Sequence, residues 1–222
     1  VADICDAAPN GELGSTTVTF EPGDPAGGHY DVDISTAGSV TLLFDAVLPL
    51  AHTLDRPLRV TARGGTSVAW SPTMPWYRRV KLPTLRAVDL YATVDVRTPG
   101  YYPVGGGRAT LSVLPTAIQP IFVTSRGDRL GTRIYSTATT DLADNEVAQR
   151  QAQRATERLE SAGHAVTERV TRYVTADSTG TSILVAIEYE NTRLGGDALG
   201  EPGKPAESVA DDALDEVLAV EQ

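Results

Sequence analysis

Apolar and polar residues alternate in several short stretches of the first half of the chain, which is the pattern of half-buried β-strands. Five such stretches predict strands, at 16–20, 30–34, 57–62, 90–96 and 108–114. Two further stretches carry apolar residues every three or four positions and predict amphipathic helices. The first covers 37–51, with Ser39 or a neighbour as its cap. The second covers 75–86, where Pro83 is expected to kink the helix or end it early. This order of elements predicts an α+β fold with helices packed on one face of a sheet.

The second half contains the most regular helical pattern of the chain, at 144–162, where alanine and leucine recur three or four residues apart. Gly163 is a suitable terminator for this helix. Three alternating stretches predict strands and one acidic amphipathic stretch predicts a last helix: 133–137, 166–174, 182–189 and 206–220. Residues 197–205 are predicted to form a loop. We therefore predict two domains, a core covering 1–127 and a small α/β domain covering 128–222.

Charge is distributed unevenly along the 222 residues. The net charge is −10, of which residues 1–127 contribute −1 and residues 128–222 contribute −9. Acidic proteins rarely bind nucleic acid, because phosphate contacts supply most of that affinity. The first half is nearly neutral, however, and clusters Arg78, Arg79, Lys81 and Arg86. Many acids with only two lysines are typical of salt-loving organisms, although an ordinary acidic cytosolic protein is the alternative.

Apolar runs such as 40–50 are far too short to span a membrane, and no basic start followed by an apolar stretch predicts a secretion signal. The single Cys5 cannot form an internal disulfide and fits a reducing cytoplasm. We therefore predict a cytoplasmic protein without a membrane partner. Hydrophobic content of 41% and charged content of 22% are those of a folded globular protein.

Three segments place glycine or small residues beside predicted strands and helices, where a backbone must approach a bound group closely: 33–42, 64–72 and 100–107. Other motifs are near misses. Residues 65–69 resemble a nucleophile elbow but end in alanine, and 200–204 are too short for a phosphate-binding loop. No histidine or cysteine spacing indicates a metal site. On spacing alone, the basic cluster is more readily a solvated helix face than an RNA contact, and the aromatics beside the glycine loops pack locally more often than they stack on a base.

These segments, in this order, resemble the RNA 3'-terminal phosphate cyclase family, and the acidic composition resembles a haloarchaeal member. The resemblance covers nearly the whole chain. Further stretches carry it: Glu12-Leu-Gly-Ser15, Phe20-Glu-Pro-Gly23, Gly27-Gly28-His-Tyr30, Arg126-Gly127, Glu146-Val-Ala-Gln-Arg150 and Gly200-Glu-Pro-Gly-Lys-Pro-Ala-Glu207. It implies a fold of repeated β-α-β-α-β-β units with a small α/β domain inserted in the last unit. It also implies that the sheet of 1–127 exposes apolar surface where other repeats pack.

The resemblance implies an ATP-dependent enzyme that converts an RNA 3'-terminal phosphate to a 2',3'-cyclic phosphate through a histidine–AMP intermediate. The expected cofactors are ATP and a divalent metal, Mg²⁺ or Mn²⁺, and the expected partner is the 3' end of an RNA. A homodimer is also considered. The family's first glycine-rich loop and its catalytic histidine are expected to lie outside the chain, which reads as a fragment that is inactive alone. The alternative is a non-catalytic relative that binds RNA or assembles with ribosome precursors. The two are distinguished by whether a histidine is present near a Tyr-x-x-Asp-Gln segment.

The resemblance carries over to few site residues. At Asp45 many members have a glutamine that contacts ATP, so an aspartate there weakens a donor contact and adds a like charge near the phosphates. Ser67 stands where an aspartate or asparagine is usual. Pro72 matches a proline that lines the adenine pocket. Arg78 and Arg79 match an arginine pair and are candidates for RNA or phosphate contacts. No catalytic residue and no metal ligand is assigned within the chain.

Overall fold

The structure, a computed structural model, describes residues 1–12 and 14–221. Leu13, which belongs to the Glu12–Ser15 stretch used in the resemblance, lies outside the described residues. Two four-stranded sheets organise the chain. Elements between 28 and 113 form the first sheet and elements between 129 and 199 form the second. We refer to residues 1–127 as the first unit and to residues 128–222 as the second unit. Whether each unit folds independently stays a prediction.

The first sheet has the strand order β1-β2-β4-β3, with a parallel β1–β2 pair and antiparallel β2–β4 and β3–β4 pairs. The crossover between the parallel strands contains helix α1 and a 3₁₀ turn. The element bounds are Gly28–Asp33 for β1, Val40–Val47 for α1, Leu48–His52 for the 3₁₀ turn, Leu58–Gly64 for β2, Ala92–Thr98 for β3 and Gly107–Val113 for β4.

Helix α1 begins where the sequence predicts, because the Ser39 hydroxyl accepts a hydrogen bond from the Leu42 N–H and caps the helix. It buries Val40, Phe44 and Val47 against the sheet. Apolar residues of β2 and β4 complete this core on the same face of the sheet. The predicted packing of helices on one sheet face is therefore observed.

Between β2 and β3 runs a composite helix at 74–85, which consists of α2 (Met74–Trp76), a π-helical turn (Tyr77–Lys81) and α3 (Leu82–Leu85). Of the two effects expected of Pro83, an early end of the helix is wrong, because the helix continues to Leu85. A proline deprives the carbonyl four residues earlier of its helical donor. Here that carbonyl belongs to Arg79 and accepts instead from the Arg193 guanidinium of the second unit at 3.5 Å.

The second sheet has the order β6-β5-β7-β8, with β5 parallel to β6 and antiparallel to β7. Helix α4 connects β5 to β6, and α5 follows β8. The bounds are Arg129–Thr139 for β5, Val147–Ser161 for α4, Val166–Val174 for β6, Thr181–Tyr189 for β7, Arg193–Leu199 for β8 and Ala206–Glu221 for α5. Gly163 ends α4 with a left-handed backbone, as predicted.

Both faces of the second sheet are covered. Helices α4 and α5 pack on one face, where Ile134, Ile183 and Ile187 are fully buried. The opposite face carries Tyr135 and Leu184 and meets the composite helix of the first unit. Strand β7 is accordingly buried at seven consecutive positions, from Thr181 to Ile187.

Three other sequence-based expectations are wrong. Residues 16–20 form no strand, and Thr19 is bonded instead to Asn10. Strand β8 occupies part of the predicted 197–205 loop; its Arg-Leu-Gly-Gly-Asp-Ala-Leu sequence lacks an alternating pattern, and pairing with β7 defines it. The open face of the first sheet is polar and not apolar, since it presents alternate residues such as Asp31, Arg63 and Arg108.

In the described part of the chain, no helix combines the length and the apolar character needed to cross a membrane.

Candidate functional site

The three glycine-containing segments meet at the end of the first sheet and pack directly against one another. A Cβ added to Gly65 would lie 2.4 Å from the Ala37 carbonyl oxygen. One added to Gly100 would lie 2.4 Å from the carbonyl oxygen of Gly64, and one added to Gly105 would lie 2.6 Å from that of Thr36. Such distances exclude any side chain. Glycine is therefore required here for contact between backbone segments.

Within the chain, this packing gives the glycines another role, which is to let the three segments contact one another. Gly65 donates its N–H to the Gly38 carbonyl, and the N–H groups of Thr66 and Ser67 both point to the Gly100 carbonyl. At the start of α1, the Val40 N–H donates to the Gly65 carbonyl. These amides, which could otherwise have bound a phosphate, are used to join the three segments.

The structure joins the two elements that carry the predicted nucleotide contacts, Asp45 and Pro72. Pro72 ends the second glycine segment, just before the composite helix. Its carbonyl oxygen accepts a hydrogen bond of 2.9 Å from the hydroxyl of Thr41. Asp45 lies one turn after Thr41 on α1, so both side chains are on the same side of that helix. Sequence reasoning did not identify Thr41, which links the two elements.

Asp45 forms an ion pair with Lys81 of the composite helix, with 2.6 Å between the carboxylate oxygen and the ammonium nitrogen. Both side chains are about 28% exposed, so the pair is only partly screened by water. Tyr77, one turn before Lys81, is buried beneath this pair and packs against Phe44 of α1. Burial, assisted by the Asp45 carboxylate, raises the pKa of the Tyr77 hydroxyl, which has no hydrogen-bond partner among the described residues. The carboxylate at position 45 is thus neutralised by a neighbour that sequence reasoning had placed on a solvated helix face.

The aromatic residues beside the glycine segments differ in exposure. Trp70 is 98% exposed and has a left-handed backbone with φ of 59°, a conformation that is rare for a bulky residue. Tyr102 is also exposed, whereas Tyr101 is buried against Gly180. Trp76 donates its indole N–H to the Gly195 carbonyl of the second unit at 3.0 Å. Only Trp70 and Tyr102 of these four are free to stack on a base.

Arg78 and Arg79 line the side of the composite helix that faces the second unit, whereas Lys81 reaches Asp45 of α1. The Arg79 guanidinium stacks on the ring of Tyr135, with 3.7 Å between its carbon and the ring centroid. Arg78 is solvent-exposed. These arginines therefore do not line the Asp45–Pro72 site, and the predicted basic cluster is divided between two faces of one helix.

Contacts between the units fix this arrangement. The Thr73 N–H, at the start of α2, donates to the Asp197 carboxylate at 2.9 Å. The Val104 N–H of the third glycine segment donates to the Ser178 hydroxyl at 3.0 Å. Residues such as Asp197 were missed by sequence reasoning, because no local pattern connects positions more than a hundred residues apart.

Among the described residues, none of the three histidines forms a hydrogen bond or ion pair with Asp45, Thr41 or Pro72. His29 is on the open face of the first sheet and contacts Thr61. His52 is exposed at the end of the 3₁₀ turn. His164 follows α4, beside Glu221. Within residues 1–12 and 14–221, no group of three or more histidine, cysteine, aspartate or glutamate side chains is arranged to hold a metal ion.

Comparison with known proteins agrees with this architecture. The sequence model of the family described as RNA 3'-terminal phosphate cyclase matches residues 1–219. The chain is 45% identical over its whole length to the RNA 3'-terminal phosphate cyclase of Halobacterium salinarum, of which it covers 66%. It is 36% identical to that of Methanosarcina barkeri, over 98% of the chain and 63% of the relative. It is 37% identical to that of Thermococcus gammatolerans, over 93% of the chain and 59% of the relative.

The chain therefore belongs to the RNA 3'-terminal phosphate cyclase family, as the motifs indicated, and these relatives are archaeal. The α+β fold expected for the family is the one observed. The chain spans slightly less than two thirds of the length of these curated relatives. The roles of Asp45, Pro72, Arg78 and Arg79 stay predictions.

Proposed function

We propose that this chain is part of an enzyme that uses ATP to convert an RNA 3'-terminal phosphate to a 2',3'-cyclic phosphate in the cytoplasm. The observation that carries the proposal is the family match over residues 1–219, together with relatives that bear the name of this activity. The homodimer considered from the sequence is not part of the proposal.

The proposed chemistry has three steps. A histidine attacks the α-phosphorus of ATP, and pyrophosphate leaves as a histidine–AMP bond forms. The RNA 3'-phosphate then attacks that phosphorus and takes the AMP from histidine. Finally the adjacent 2'-hydroxyl attacks the terminal phosphorus, loses its proton, and displaces AMP as the cyclic phosphate forms. We place this nucleophile outside these 222 residues, because among the described residues no histidine forms a hydrogen bond or ion pair with Asp45 or Pro72.

For the ATP, we propose that Pro72 contacts the adenine and that the Asp45–Lys81 pair lies beside the phosphates. The hydrogen bond from Thr41 to the Pro72 carbonyl supports this assignment, since it holds the two elements together. A neutral ion pair avoids the repulsion that a free carboxylate would exert on phosphate. A divalent metal, Mg²⁺ or Mn²⁺, is included as a cofactor held mainly by ATP phosphates. Among the described residues, no group of three or more histidine, cysteine, aspartate or glutamate side chains is arranged to hold it, and no step is assigned to it.

The experiment is a titration of the 222-residue chain with a fluorescent ATP analogue and Mg²⁺. Asp45→Gln is expected to bind about fivefold more tightly, because it frees the Lys81 ammonium for phosphate at a surface site. Lys81→Gln is expected to bind more weakly than the unmodified chain, because Asp45 is then an unpaired negative charge. Lys204→Gln, which removes a lysine paired with Asp212 in the second unit, is the matched control and should change nothing.

A second measurement addresses the nucleophile. After incubation with labelled ATP and denaturation, the chain should retain no acid-labile label. Retained label would assign the nucleophile to one of the three histidines and overturn that part of the proposal. RNA binding without any ATP binding would favour the non-catalytic alternative.

A further inference from the structure

Six arginines from both units converge on the cleft between the composite helix and the second sheet. They line two adjoining cavities of about 200 and 100 Å³ that share Arg78, Arg79 and Tyr135. We name this surface the arginine cleft, and its arginines are Arg78, Arg79, Arg86, Arg133, Arg172 and Arg193. Three come from the composite helix and the turn after it, and three from strands β5, β6 and β8.

Several of these guanidiniums have no acidic partner. Within residues 1–12 and 14–221, Arg78, Arg79, Arg86 and Arg172 form no ion pair within 4.0 Å and donate no side-chain hydrogen bond within 3.5 Å. Arginines elsewhere in the second unit behave differently. Those of α4 are paired with acids of α5, as in the Arg150–Glu207 pair at 2.8 Å.

The charge of the cleft is opposite to that of the chain. Its six guanidiniums face three nearby carboxylates, those of Asp95, Glu168 and Glu188. The chain as a whole carries −10. Although the Arg78 side chain is largely exposed, partial desolvation at the cleft and the neighbouring charges of Arg79 and Arg172 lower its pKa, whereas Asp95 opposes the shift. Like charges held this close are costly unless an anion relieves them.

We propose that the arginine cleft binds the phosphate backbone of single-stranded RNA and guides its 3' end toward the Asp45–Pro72 site. The inference deepens the proposed function and rests on it for the identity of the ligand. The guanidiniums are spread over one helix and three strands, which suits a chain of successive phosphates better than one compact anion. Stacking on Tyr135 holds Arg79 toward the cleft.

The cleft exists only when the units are docked, since Arg78 and Arg86 belong to the first unit and Arg172 to the second. The composite helix that carries Arg78 also carries Lys81 toward Asp45 on its other side. RNA in the cleft and nucleotide beside Asp45 would therefore contact a single helix. This predicts that docking of the second unit contributes to RNA affinity.

The test measures binding of a fluorescein-labelled, 12-nucleotide RNA with a 3'-phosphate to the 222-residue chain, by anisotropy over a series of KCl concentrations. Arg172→Gln, Arg86→Gln and Arg78→Gln should each weaken binding roughly fivefold at low salt. Each should also reduce the slope of log affinity against log salt by about 0.7, the value for one lost phosphate contact on a single strand. The triple variant should lose most of the affinity.

Arg169→Gln is the matched control. Arg169 lies on β6 like Arg172, also without an ion pair among the described residues, but it faces α4 and contacts Gln153. Its substitution should leave RNA affinity within twofold of the unmodified chain. Thermal unfolding of each variant verifies that the fold is intact.

Three outcomes would overturn the inference: an equal loss of affinity in Arg169→Gln, unchanged affinity in the triple variant, or equally tight binding of a poly-glutamate peptide. The last would assign the cleft to an acidic protein. ATP binding should be unchanged in the cleft variants. If the chain binds RNA through the cleft but does not bind ATP, the proposed catalytic function is wrong. The inference about the arginine cleft would still hold.

Discussion

The first sheet has one open face, whereas the second sheet is covered on both. Strand β1 alternates between half-buried and exposed residues, and its exposed side chains, such as Asp31, are polar. Strand β7 is buried on both sides from Thr181 to Ile187. The core of the first sheet lies on one face, where α1, the 3₁₀ turn after it and the composite helix pack. The second sheet needs α4 and α5 on one face and the first unit on the other.

Because the second sheet is covered by the first unit on one face, side chains of the first unit must fit closely against it, and glycines of the second unit make room for them. A Cβ at Gly180 would lie 2.3 Å from the Tyr101 ring, and one at Gly195 would lie 2.5 Å from a methyl carbon of Val80. Both glycines admit a bulky side chain of the first unit onto the second sheet. The open face of the first sheet has no such requirement.

The largest expected effect is loss of a side chain on the helix-covered face of the second sheet. Ile187 is fully buried among α4, α5 and β5, so Ile187→Ala should destabilise the fold by about 2–5 kcal/mol. Urea unfolding measures this cost. Ser112→Ala, on the open face of the first sheet, is the counterpart and should cost under about 0.5 kcal/mol. Comparable costs would contradict the difference in coverage.

The next effect concerns the contact between the units. Gly195→Ala forces Val80 and Trp76 away from β8 and should cost about 1–3 kcal/mol. Trp76 would lose its hydrogen bond to the Gly195 carbonyl and become more exposed, so its fluorescence emission should shift to longer wavelength in the native state. Ile187→Ala should leave the native emission unchanged. A red shift in both variants would mean that a change on the helix-covered face of the second sheet also disturbs the face that meets the first unit.

A smaller effect on stability is expected from acid, which protonates carboxylates that pair α4 with α5. A hydrogen bond from Arg150 lowers the pKa of Glu207 from its ordinary 4.5. Burial alone would raise the pKa of Asp211, but hydrogen bonds from Arg154 and Arg158 lower it from 3.8. A lowered folded-state pKa gives stability that is present above the ordinary pKa and is lost as pH falls through the folded pKa. Glu207→Gln with Asp211→Asn should therefore reduce stability at pH 7 and flatten its decline below pH 4.5.

If that double variant declines as steeply as the unmodified chain below pH 4.5, other carboxylates account for the acid sensitivity. Melting temperatures at several pH values from 7 down to about 2.5, in constant salt, give the comparison. High salt should reduce the difference at pH 7, because these pairs are partly exposed.

The smallest expected effect on stability comes from one carboxylate at the contact between the units. Its dependence on pH is opposite to that of Glu207 and Asp211. Burial raises the pKa of Asp197 above its ordinary 3.8, although the Thr73 N–H and hydroxyl act against the shift. Its contribution to stability is complete below pH 3.8 and is lost as pH rises through the raised pKa. Asp197→Asn keeps an acceptor for Thr73 without the charge, and should melt slightly higher than the unmodified chain at pH 7 and no higher at pH 3.5. A lower melting temperature at pH 7 would show that the charge itself holds the helix start.

Much of the fold could be predicted from local pattern. Strand β6 has the predicted bounds, Ser39 caps α1, and Gly163 ends α4. Each of these features depends on residues within one turn or one strand, which a sequence states directly. The family motifs, read in order, likewise identified the class of protein.

The candidate site was predictable only in part. Asp45 and Pro72 came from the resemblance, but the Thr41 hydroxyl that joins them and the Lys81 ammonium that neutralises Asp45 required the packing of α1 against the composite helix. The sequence located the glycine segments but gave no sign that they pack against one another. Sequence shows that a side chain is absent and cannot show whether backbone or ligand fills the space.

The sequence by itself determined the helices and most strands, the acidic charge and the family, because periodicity, caps and motifs are local properties. Tertiary structure decided the course of β8, the continuation of the helix through Pro83, and the meeting of Arg78 with Arg172. Each of these depends on partners far away in the chain: β7 pairs with β8, Arg193 binds the Arg79 carbonyl, and docking of the units creates the arginine cleft. Such contacts form only when separate elements pack, and no local pattern records them.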